Sequence, residues 1–540
     1  MTDRAGGASH ARWALACFVA LAVFHTWPLS SAPWRLSLNH HADAQLNAWI
    51  VSWIAHTLPA APTHLFDANI FAPEPATLTY SEPLIAPALL VAPVRWLGGS
   101  PVLAFNLLTI AGLALTGWSA WFVAWRWTGS TRAALVAGAL AAFNVHTLTR
   151  LAHPAATHAW GLPLAWYWAD AAIDRPGRRT ALMIGLVVAA VAATSVYLLA
   201  FVVLIIAVVA VMRARGVASF GTIGAGVAIG VALAAPILLP YVRLGAGGAT
   251  RPIEMVAQFS ASPAGYLSST SVIDAIWTRR FFANDVNVMF AGVGALVLSA
   301  VGLVAARRLE PVTRRRIVAL VIVAVAGVVL SLGPSTAIYR WLYALVWPLR
   351  GLRAAARFGH LYLVTVSMLA AFGWVWLERR VLPRPRVAIW LAACVVLLVT
   401  AEAWQGPVRT VPFSRVPAIY SLVADAPDPV RLVEVPFYPP EAVFENGEYV
   451  FNSTAHWRPL MNGYSGYTPD SYRTRAAAFW FFPEAWAIDA IRREGATHLM
   501  VHLSRFSPEE AAEITRVLLD RRDLELIGSD PLGNRLYKVK

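Results

Sequence analysis

The feature that most constrains this chain is a succession of membrane-length apolar segments separated by short connectors rich in arginine. Charged residues make up only 14% of the 540 residues, against about 25% in soluble globular proteins. An apolar segment of about 20 residues can cross the hydrocarbon core of a bilayer as a helix. The sequence therefore predicts a multi-spanning, all-α membrane region. Its candidate spans lie at about 13–29, 101–124, 132–150, 157–173, 219–242, 287–306, 317–333, 357–378 and 387–404.

Three segments depart from this simple pattern. The run 181–212 would be about 48 Å long as a single helix, too long for a core of about 30 Å. Because both its flanks are basic, we predict two short helices with a turn near Thr194 and Ser195. Three prolines in 83–97 favour an interfacial or re-entrant segment, and 44–58 is interpreted as a helix that lies along the membrane surface.

The basic residues orient the chain. The net charge is +14, but arginine clusters in the connectors as it does in cytoplasmic loops, so nucleic acid is not an expected partner. The pattern predicts a cytoplasmic N-terminus, 11 crossings (12–13 membrane helices if partial ones count) and an external C-terminus. The resulting external loops are 30–82, 243–285 and 333–357.

Composition divides the chain at about residue 405. Residues 1–404 form the predicted membrane domain, whereas 405–540 is polar and its apolar runs are too short to cross a bilayer. Within the second part, 430–435 and 497–502 are predicted strands and 508–520 is a predicted helix. These features indicate a smaller external α/β domain.

The first external loop carries the best candidates for catalysis. Transfer of a sugar to a hydroxyl needs a base that accepts the proton as the bond to the anomeric carbon forms. Asp43 at the membrane edge suits that role, although it could equally be the N-cap of a helix that starts at Ala44. Asp67 is the second catalytic candidate, with an Asx-turn as its structural alternative. The candidate substrate-binding residues of this loop are His40, His41, Gln45 and Glu82.

The histidines of the chain suggest two further possibilities. His40, His41 and His64 could join Asp43 and Asp67 in a divalent-cation site, but their spacing matches no specific zinc pattern. No cofactor is therefore required by the sequence. Three more histidines flank another predicted external turn and would either meet substrate or be packed; they are His146, His153 and His158.

Arginines in the third external loop provide candidate phosphate ligands. Arg350, Arg353 and Arg357 recur at spacings of three and four, which predicts that they share one helix face. An external cluster of arginine runs against the positive-inside trend. Fixed cations of this kind would stabilise a lipid-phosphate leaving group, and anchoring of a helix end to lipid headgroups is the alternative.

Several stretches together resemble the GT-C class of membrane glycosyltransferases, the superfamily of protein O-mannosyltransferases and aminoarabinose transferases. The similarity covers most of the chain, with loose motifs. The stretches are Asp43 with Trp49–Trp53, Leu65–Phe71, Trp96–Leu107, Arg126–Ser130, Gly351–Phe358 and the six residues Asn462-Gly463-Tyr464-Ser465-Gly466-Tyr467. The resemblance implies a helical membrane domain with an external C-terminal domain, a polyprenyl-phosphate sugar as donor, and Asp43 as the catalytic base.

Our first functional hypothesis is therefore a multi-pass glycosyltransferase of the bacterial inner (plasma) membrane. It would transfer sugar at the outer face to a hydroxyl of a glycan, lipid or protein acceptor, with membrane lipids around it. One alternative is a lipid or glycan transporter or flippase, disfavoured because the spans hold few ionisable residues. The other is an inactive envelope scaffold, since the His-His-Ala-Asp stretch has one acid where many members have two.

Overall fold

The computed structural model describes residues 2–281, 287–380 and 385–540, so the last residues of the predicted loop 243–285 lie outside the described residues. The chain divides into two compact units. The helical unit comprises Met1–Ser31 and Leu107–Val408, and the sheet unit comprises Ala32–Asn106 and Arg409–Lys540.

Helices dominate the chain up to residue 404. Helices α2 and α3 belong to the sheet unit, α4 begins in it, and the remainder belong to the helical unit. They are α1 Thr2–His25, α2 Ala42–Ala60, α3 Ile85–Trp96, α4 Pro101–Thr128, α5 Thr131–Ala142, α6 Val145–Leu148, α7 Pro154–Thr157, α8 Gly161–Asp174, α9 Arg178–Ala192, α10 Val196–Arg213, α11 Gly216–Ala246, α12 Ile253–Gln258, α13 Ala275–Phe281, α14 Val293–Ala305, α15 Pro311–Ser331, α16 Ala337–Leu345, α17 Gly359–Arg380 and α18 Pro385–Glu402.

Among the described residues, four helices are long and apolar enough to cross a membrane. They are Pro101–Thr128, Val196–Arg213, Gly216–Ala246 and Ala355–Arg380. Three coincide with the predicted spans 101–124, 219–242 and 357–378, and the fourth is the second half of the run 181–212. The predicted total of 11 crossings stays a prediction.

Local capping explains where two of the predicted spans are divided. The run 181–212 forms two helices, α9 and α10, as predicted, because the Ser195 side chain accepts a hydrogen bond from the Leu198 N–H (3.2 Å) and starts α10. The predicted span 132–150 ends early. Helix α5 stops at Ala142, and Asn144 caps the separate short helix α6 by accepting a hydrogen bond from the Thr147 N–H (3.0 Å). Serine and asparagine are favoured N-cap residues for this reason.

Close helix contacts hold the helical unit together. Helices α14 and α17 approach each other at Gly302 and Gly373. A Cβ added to Gly373 would lie 1.9 Å from the Leu298 carbonyl oxygen, and one added to Gly302 would lie 2.6 Å from that of Leu369. Small residues at such crossings let two backbones meet.

A buried ion cluster joins three helices of the same unit. Asp170 on α8 is 2% exposed, and its Oδ2 accepts hydrogen bonds from Nε and Nη2 of Arg316 on α15 (2.9 and 2.6 Å). Arg213 on α10, 5% exposed, contacts the same carboxylate. Buried charges persist only when they are paired in this way.

The sheet unit contains every strand found in residues 2–281, 287–380 and 385–540. The strands are β1 Leu36–Ser37, β2 Val411–Pro412, β3 Leu432–Val435, β4 His498–His502, β5 Leu524–Ser529 and β6 Asn534–Val539, with helices α19 Tyr420–Ala424, α20 Gly447–Asn452, α21 Asp470–Phe479, α22 Ala485–Arg493 and α23 Pro508–Leu519. Four strands form a sheet in the order β3-β4-β6-β5, in which β3 and β4 are parallel and the other pairs are antiparallel. The predicted strands at 430–435 and 497–502 and the predicted helix at 508–520 are confirmed.

The sheet unit differs from the predicted division at residue 405 because it also contains residues 32–106. Strand β1 pairs with β2 in an antiparallel ladder. The N–H groups of Phe71 and Ala72 donate to the carbonyls of Asn462 and Leu460 (both 2.9 Å). Most of the predicted external loop 30–82 is thus part of the folded core of this unit.

Helix α2 is a core helix of the sheet unit, which corrects the interpretation of 44–58 as a helix along the membrane surface. Trp49 and Trp53 are buried. Their indole N–H groups donate to the Asn69 side-chain oxygen (3.2 Å) and the Leu65 carbonyl (2.8 Å). The tryptophans that suggested contact with lipid instead fill the interior and satisfy their polar atoms there.

Candidate active site

The candidate site is built on the segment Asn462–Tyr467, which is held from beneath by buried polar contacts. The Asn462 side chain accepts from the Glu434 N–H (2.8 Å) and donates to the Glu434 carbonyl (2.9 Å) and to the Asn446 side-chain oxygen (3.1 Å). Next to it, Gly463 lies against the Phe71 ring, where a Cβ would come within 2.5 Å of ring carbon. These contacts fix the position from which Tyr464 projects.

Tyr464 contacts the predicted base. Its hydroxyl donates a hydrogen bond of 2.6 Å to Oδ1 of Asp43. The Asp43 side chain is 29% exposed, so it is held by the protein and still open to solvent. The hydrogen bond orients one carboxylate oxygen, and a hydroxyl donating to a carboxylate forms a short, strong bond.

His41, and not Asp43, is the N-cap of α2, so the alternative role of Asp43 as the helix cap does not hold. The His41 Nδ1 accepts a hydrogen bond from the Asp43 N–H (3.2 Å), and the helix begins at Ala42. Asp43 consequently occupies the first turn. The positive end of the helix dipole favours a negative charge at that position.

The same segment also holds the far end of the first loop. Ser465 and Ser81 share a hydrogen bond of 2.6 Å, and the Tyr467 ring meets the Tyr80 ring edge-on with centroids 5.1 Å apart. Burial, then Glu74 and Tyr467, raise the pKa of Tyr80 to about 12, so its hydroxyl stays protonated. Glu82 directly follows this contact. Asp43 and the 80–82 stretch therefore both lie next to the segment Asn462–Tyr467.

Two other predicted binding residues flank Asp43. Gln45 lies against α20, where a Cβ on Gly447 would come within 2.7 Å of its Oε1. His40 is exposed, and its pKa is lowered by partial burial and by the positive charges of Arg409 and His41. A neutral His40 can offer either ring nitrogen to a substrate hydroxyl.

Asp67 makes a separate set of contacts. Its Oδ1 accepts from the Ala76 N–H (2.9 Å), and its Oδ2 lies 3.4 Å from Nδ1 of His64. This bond joins the Asp67 side chain to a backbone N–H nine positions later in the chain, so it is not the Asx-turn given as the structural alternative, in which the side chain bonds the backbone two residues on. This carboxylate serves to hold the loop.

The histidine and aspartate residues of the first loop are not gathered around a common point. His41 pairs with Asp43 (3.8 Å) and His64 with Asp67 (3.4 Å). Across the described ranges, no group of three or more His, Cys, Asp or Glu side chains is placed to hold a metal ion.

The arginines at 350, 353 and 357 do not share a helix face, which corrects the prediction from their spacing. The chain forms a short 3₁₀ helix over Trp347–Gly351, extends, and forms a second one over Ala355–Phe358. Pro348 near the start of this stretch lacks the N–H that a continuing α-helix would use. The three side chains therefore project from different local structures.

Each of these arginines has its own contact in the helical unit. Arg350 donates to the carbonyls of Tyr343 (3.1 Å) and Ala344 (2.8 Å), which closes the end of α16. Arg353 lies over the Phe259 ring at 4.5 Å and Arg357 over the Tyr197 ring at 4.4 Å. Stacking on an aromatic face keeps a guanidinium oriented.

Histidines near Arg357 are packed in the interior. His146 and His360 are 1% and 4% exposed and meet edge-on at 4.9 Å. The Nδ1 of His146 lies 3.2 Å from the Val288 carbonyl, and Nε2 of His158 lies 3.0 Å from that of Leu108. Of the two roles expected for His146 and His158, the structure favours packing.

Tyr464 is a candidate site residue that the sequence did not single out. Its six-residue stretch was noted as a similarity, but a tyrosine between two glycines carries no specific chemical signal. Only its contact with Asp43, 421 positions earlier, marks it.

Comparison with known proteins gives a fold and no close relative. No family model and no curated protein matches this sequence. The cryo-EM structure of the arabinofuranosyltransferase AftD from Mycobacteria is similar over 98% of this chain at 15% identity and a TM-score of 0.60, and its R1389S mutant gives 0.61. The Archaeoglobus fulgidus oligosaccharyltransferase matches over 98% of this chain and 74% of its own, at 12% identity and a TM-score of 0.47.

The resemblance to GT-C membrane glycosyltransferases expected from the sequence is thus confirmed for the fold. This chain spans about 40% of the length of AftD.

Proposed function

We propose that this protein is an integral-membrane glycosyltransferase that moves a sugar from a polyprenyl-phosphate donor to an acceptor hydroxyl, with Asp43 as the general base. The GT-C-like fold supports glycosyl transfer at a membrane in general. The observation that carries the assignment of the base is the 2.6 Å hydrogen bond between Tyr464 and a partly exposed Asp43.

The proposed step is a single displacement at the anomeric carbon. The acceptor oxygen bonds to that carbon while its proton passes to Asp43, and the bond from the carbon to the phosphate oxygen breaks. A positioned carboxylate can supply about 100- to 10,000-fold in rate this way. Tyr464 would fix the carboxylate, and His40, His41, Gln45 and Glu82 would orient the sugar or the acceptor.

The leaving phosphate needs positive charge as its bond breaks. Arg353 and Arg357 are the proposed sources, because each guanidinium is held in a fixed position over an aromatic ring, that of Phe259 and that of Tyr197. Arg350 is a weaker candidate than the sequence implied, since its N–H groups bind carbonyls at the end of α16. We place the reaction at the outer face of a bacterial inner membrane, with a glycan, lipid or protein as acceptor.

The first test compares the wild-type protein with Asp43→Asn. Purified protein in lipid is given a panel of radiolabelled polyprenyl-phosphate sugars, and sugar release or transfer is followed alongside donor binding. We expect turnover to fall by about 100-fold or more while donor binding is kept, because the amide cannot accept the acceptor proton.

A matched control is Asp470→Asn. Asp470 is also an acid in the first turn of a helix of the sheet unit, but its side chain is 96% exposed. Its loss should leave turnover unchanged. Equal turnover in the wild type and Asp43→Asn would remove Asp43 from the mechanism and make Asp67→Asn the next variant. Absence of turnover and donor binding in every variant would favour a transporter or an inactive scaffold.

A further inference from the structure

Exposed aromatic side chains gather at one turn of the sheet unit. Trp480, Phe481 and Trp486 are 50%, 52% and 48% exposed. They lie where α21 ends and α22 begins, and the rings of Phe481 and Trp486 are 5.3 Å apart. We call these three residues the aromatic tip. Contiguous exposed apolar surface of this kind usually marks a place of interaction.

The tip is held rigidly by the aromatic residues that alternate with it. Phe479 and Phe482 are 1% and 6% exposed, and the Phe479 ring meets the Phe437 ring edge-on at 5.1 Å in the core. Because these two side chains point inward, Trp480 and Phe481 are displayed outward. A surface fixed in advance loses little conformational entropy when it docks.

The chemistry of the tip suits the headgroup region of a bilayer. Tryptophan combines an apolar ring with one N–H donor, and it is enriched where hydrocarbon meets water. No hydrogen bond joins the indole N–H of Trp480 or Trp486 to another residue that the structure describes. Both N–H groups are therefore available to lipid carbonyl or phosphate oxygens.

The sheet unit is continuous in sequence with a candidate membrane span. Helix α4, one of the four candidate spans, begins at Pro101, and residues up to Asn106 belong to the sheet unit. The planes of the Phe481 and Trp486 rings are inclined by 43°, so these two rings do not form the flat platform on which a sugar ring would stack. We propose that the aromatic tip inserts into the headgroup region of the membrane and anchors the sheet unit there.

The test measures the depth of the tip in lipid. Full-length protein with Cys17 and Cys394 replaced by serine carries a fluorophore on cysteine at Phe481→Cys, in nanodiscs of phosphatidylcholine and phosphatidylglycerol. Lipids with a spin label on the headgroup are then added. Leu519→Cys on α23 is the matched control, because Leu519 is a 78% exposed apolar residue of the same unit. Trp486→Cys serves if the first variant fails to fold.

We expect the fluorophore at position 481 to be quenched several-fold more strongly than the one at position 519. Equal, weak quenching at both positions would overturn the proposal. So would weak quenching at position 481 combined with a fluorescence change on adding a soluble oligosaccharide, since the tip would then be a glycan-binding surface. Neither readout depends on enzymatic activity.

Discussion

Tyr464 is the residue through which the C-terminal part of the chain reaches the proposed base. Replacing it with phenylalanine keeps the ring and removes the hydrogen bond to Asp43. A hydrogen bond to a charged group contributes about 1.5–3 kcal/mol, so we expect Tyr464→Phe to lower kcat by about 10- to 100-fold. The measurement is kcat and KM for sugar transfer.

The donor KM should change little, because the tyrosine positions the base and is not proposed to bind the donor. The melting temperature of the variant serves as the control for folding. Wild-type kcat in Tyr464→Phe would show that Asp43 does not need this contact.

His456 gives the sheet unit a pH-dependent stability. It is buried, its ring stacks on the Tyr420 ring at 5.9 Å, and its Nδ1 accepts from the Arg458 N–H (2.9 Å). Burial lowers the pKa of His456 to about 4, from an ordinary 6.5. As the pH falls below 6.5, His456 therefore becomes protonated in the unfolded chain while it stays neutral in the folded chain.

Neutral His456 therefore stabilises the folded state in a way that depends on pH. The stabilising contribution of neutral His456 is complete above pH 6.5 and is lost progressively as the pH falls from 6.5 towards 4. We expect the free energy of unfolding to decrease over that window, and to decrease less steeply in His456→Phe, which cannot titrate. Thermal unfolding in a pH series measures both slopes, and identical slopes would contradict the assignment.

Asp170 is important at the scale of the elements, because one carboxylate joins α8, α10 and α15. Asp170→Asn would leave Arg213 and Arg316 buried with less compensating charge. Removing one partner of a buried ion pair typically costs about 3–5 kcal/mol. We expect a markedly lower melting temperature for the protein in detergent or lipid.

Asp174→Asn is the control for this variant. The Asp174 side chain is 50% exposed and lies 3.7 Å from each of the same arginines, so its loss should cost little. The pairing of Asp170 also weakens the transporter alternative. This buried acid is already paired with arginines, so its presence is explained by structure without a role in transport. A folded Asp170→Asn protein of wild-type stability would remove the structural role.

Local signals explain which elements could be predicted. The turn at Ser195 follows from helix length and a favoured cap residue, and strands β3 and β4 follow from short apolar runs. The prediction of a common helix face for the arginines was wrong because the chain leaves helical conformation between two short 3₁₀ helices, so the α-helical spacing does not apply. Strands β5 and β6 were missed since their sequences mix charged and apolar residues, with most of β5 exposed.

At the scale of the whole molecule, the decisive contacts are the ones that sequence patterns do not carry. The sequence predicted that the first loop, 30–82, holds the catalytic candidate Asp43. That this loop belongs to the sheet unit depends on pairs such as Leu36 with Pro412. No local sequence pattern around Leu36 or around Pro412 predicts that the two stretches pair. The same limit applies to Tyr464, whose importance rests on a partner more than 400 positions away.

The discontinuity of the sheet unit has a consequence for biosynthesis. Its two parts are separated by the 302 residues of Leu107–Val408. At a translation rate of about 5–20 residues per second, roughly 15–60 s pass between their appearances. Throughout that interval the nascent chain must keep Trp49 and Trp53 from aggregating without the C-terminal part of the unit, whose Trp457 ring later packs against Trp53. Maturation of the Asp43 site is thus a late, post-insertion event, and a ribosome that stops before residue 464 yields a membrane protein without it.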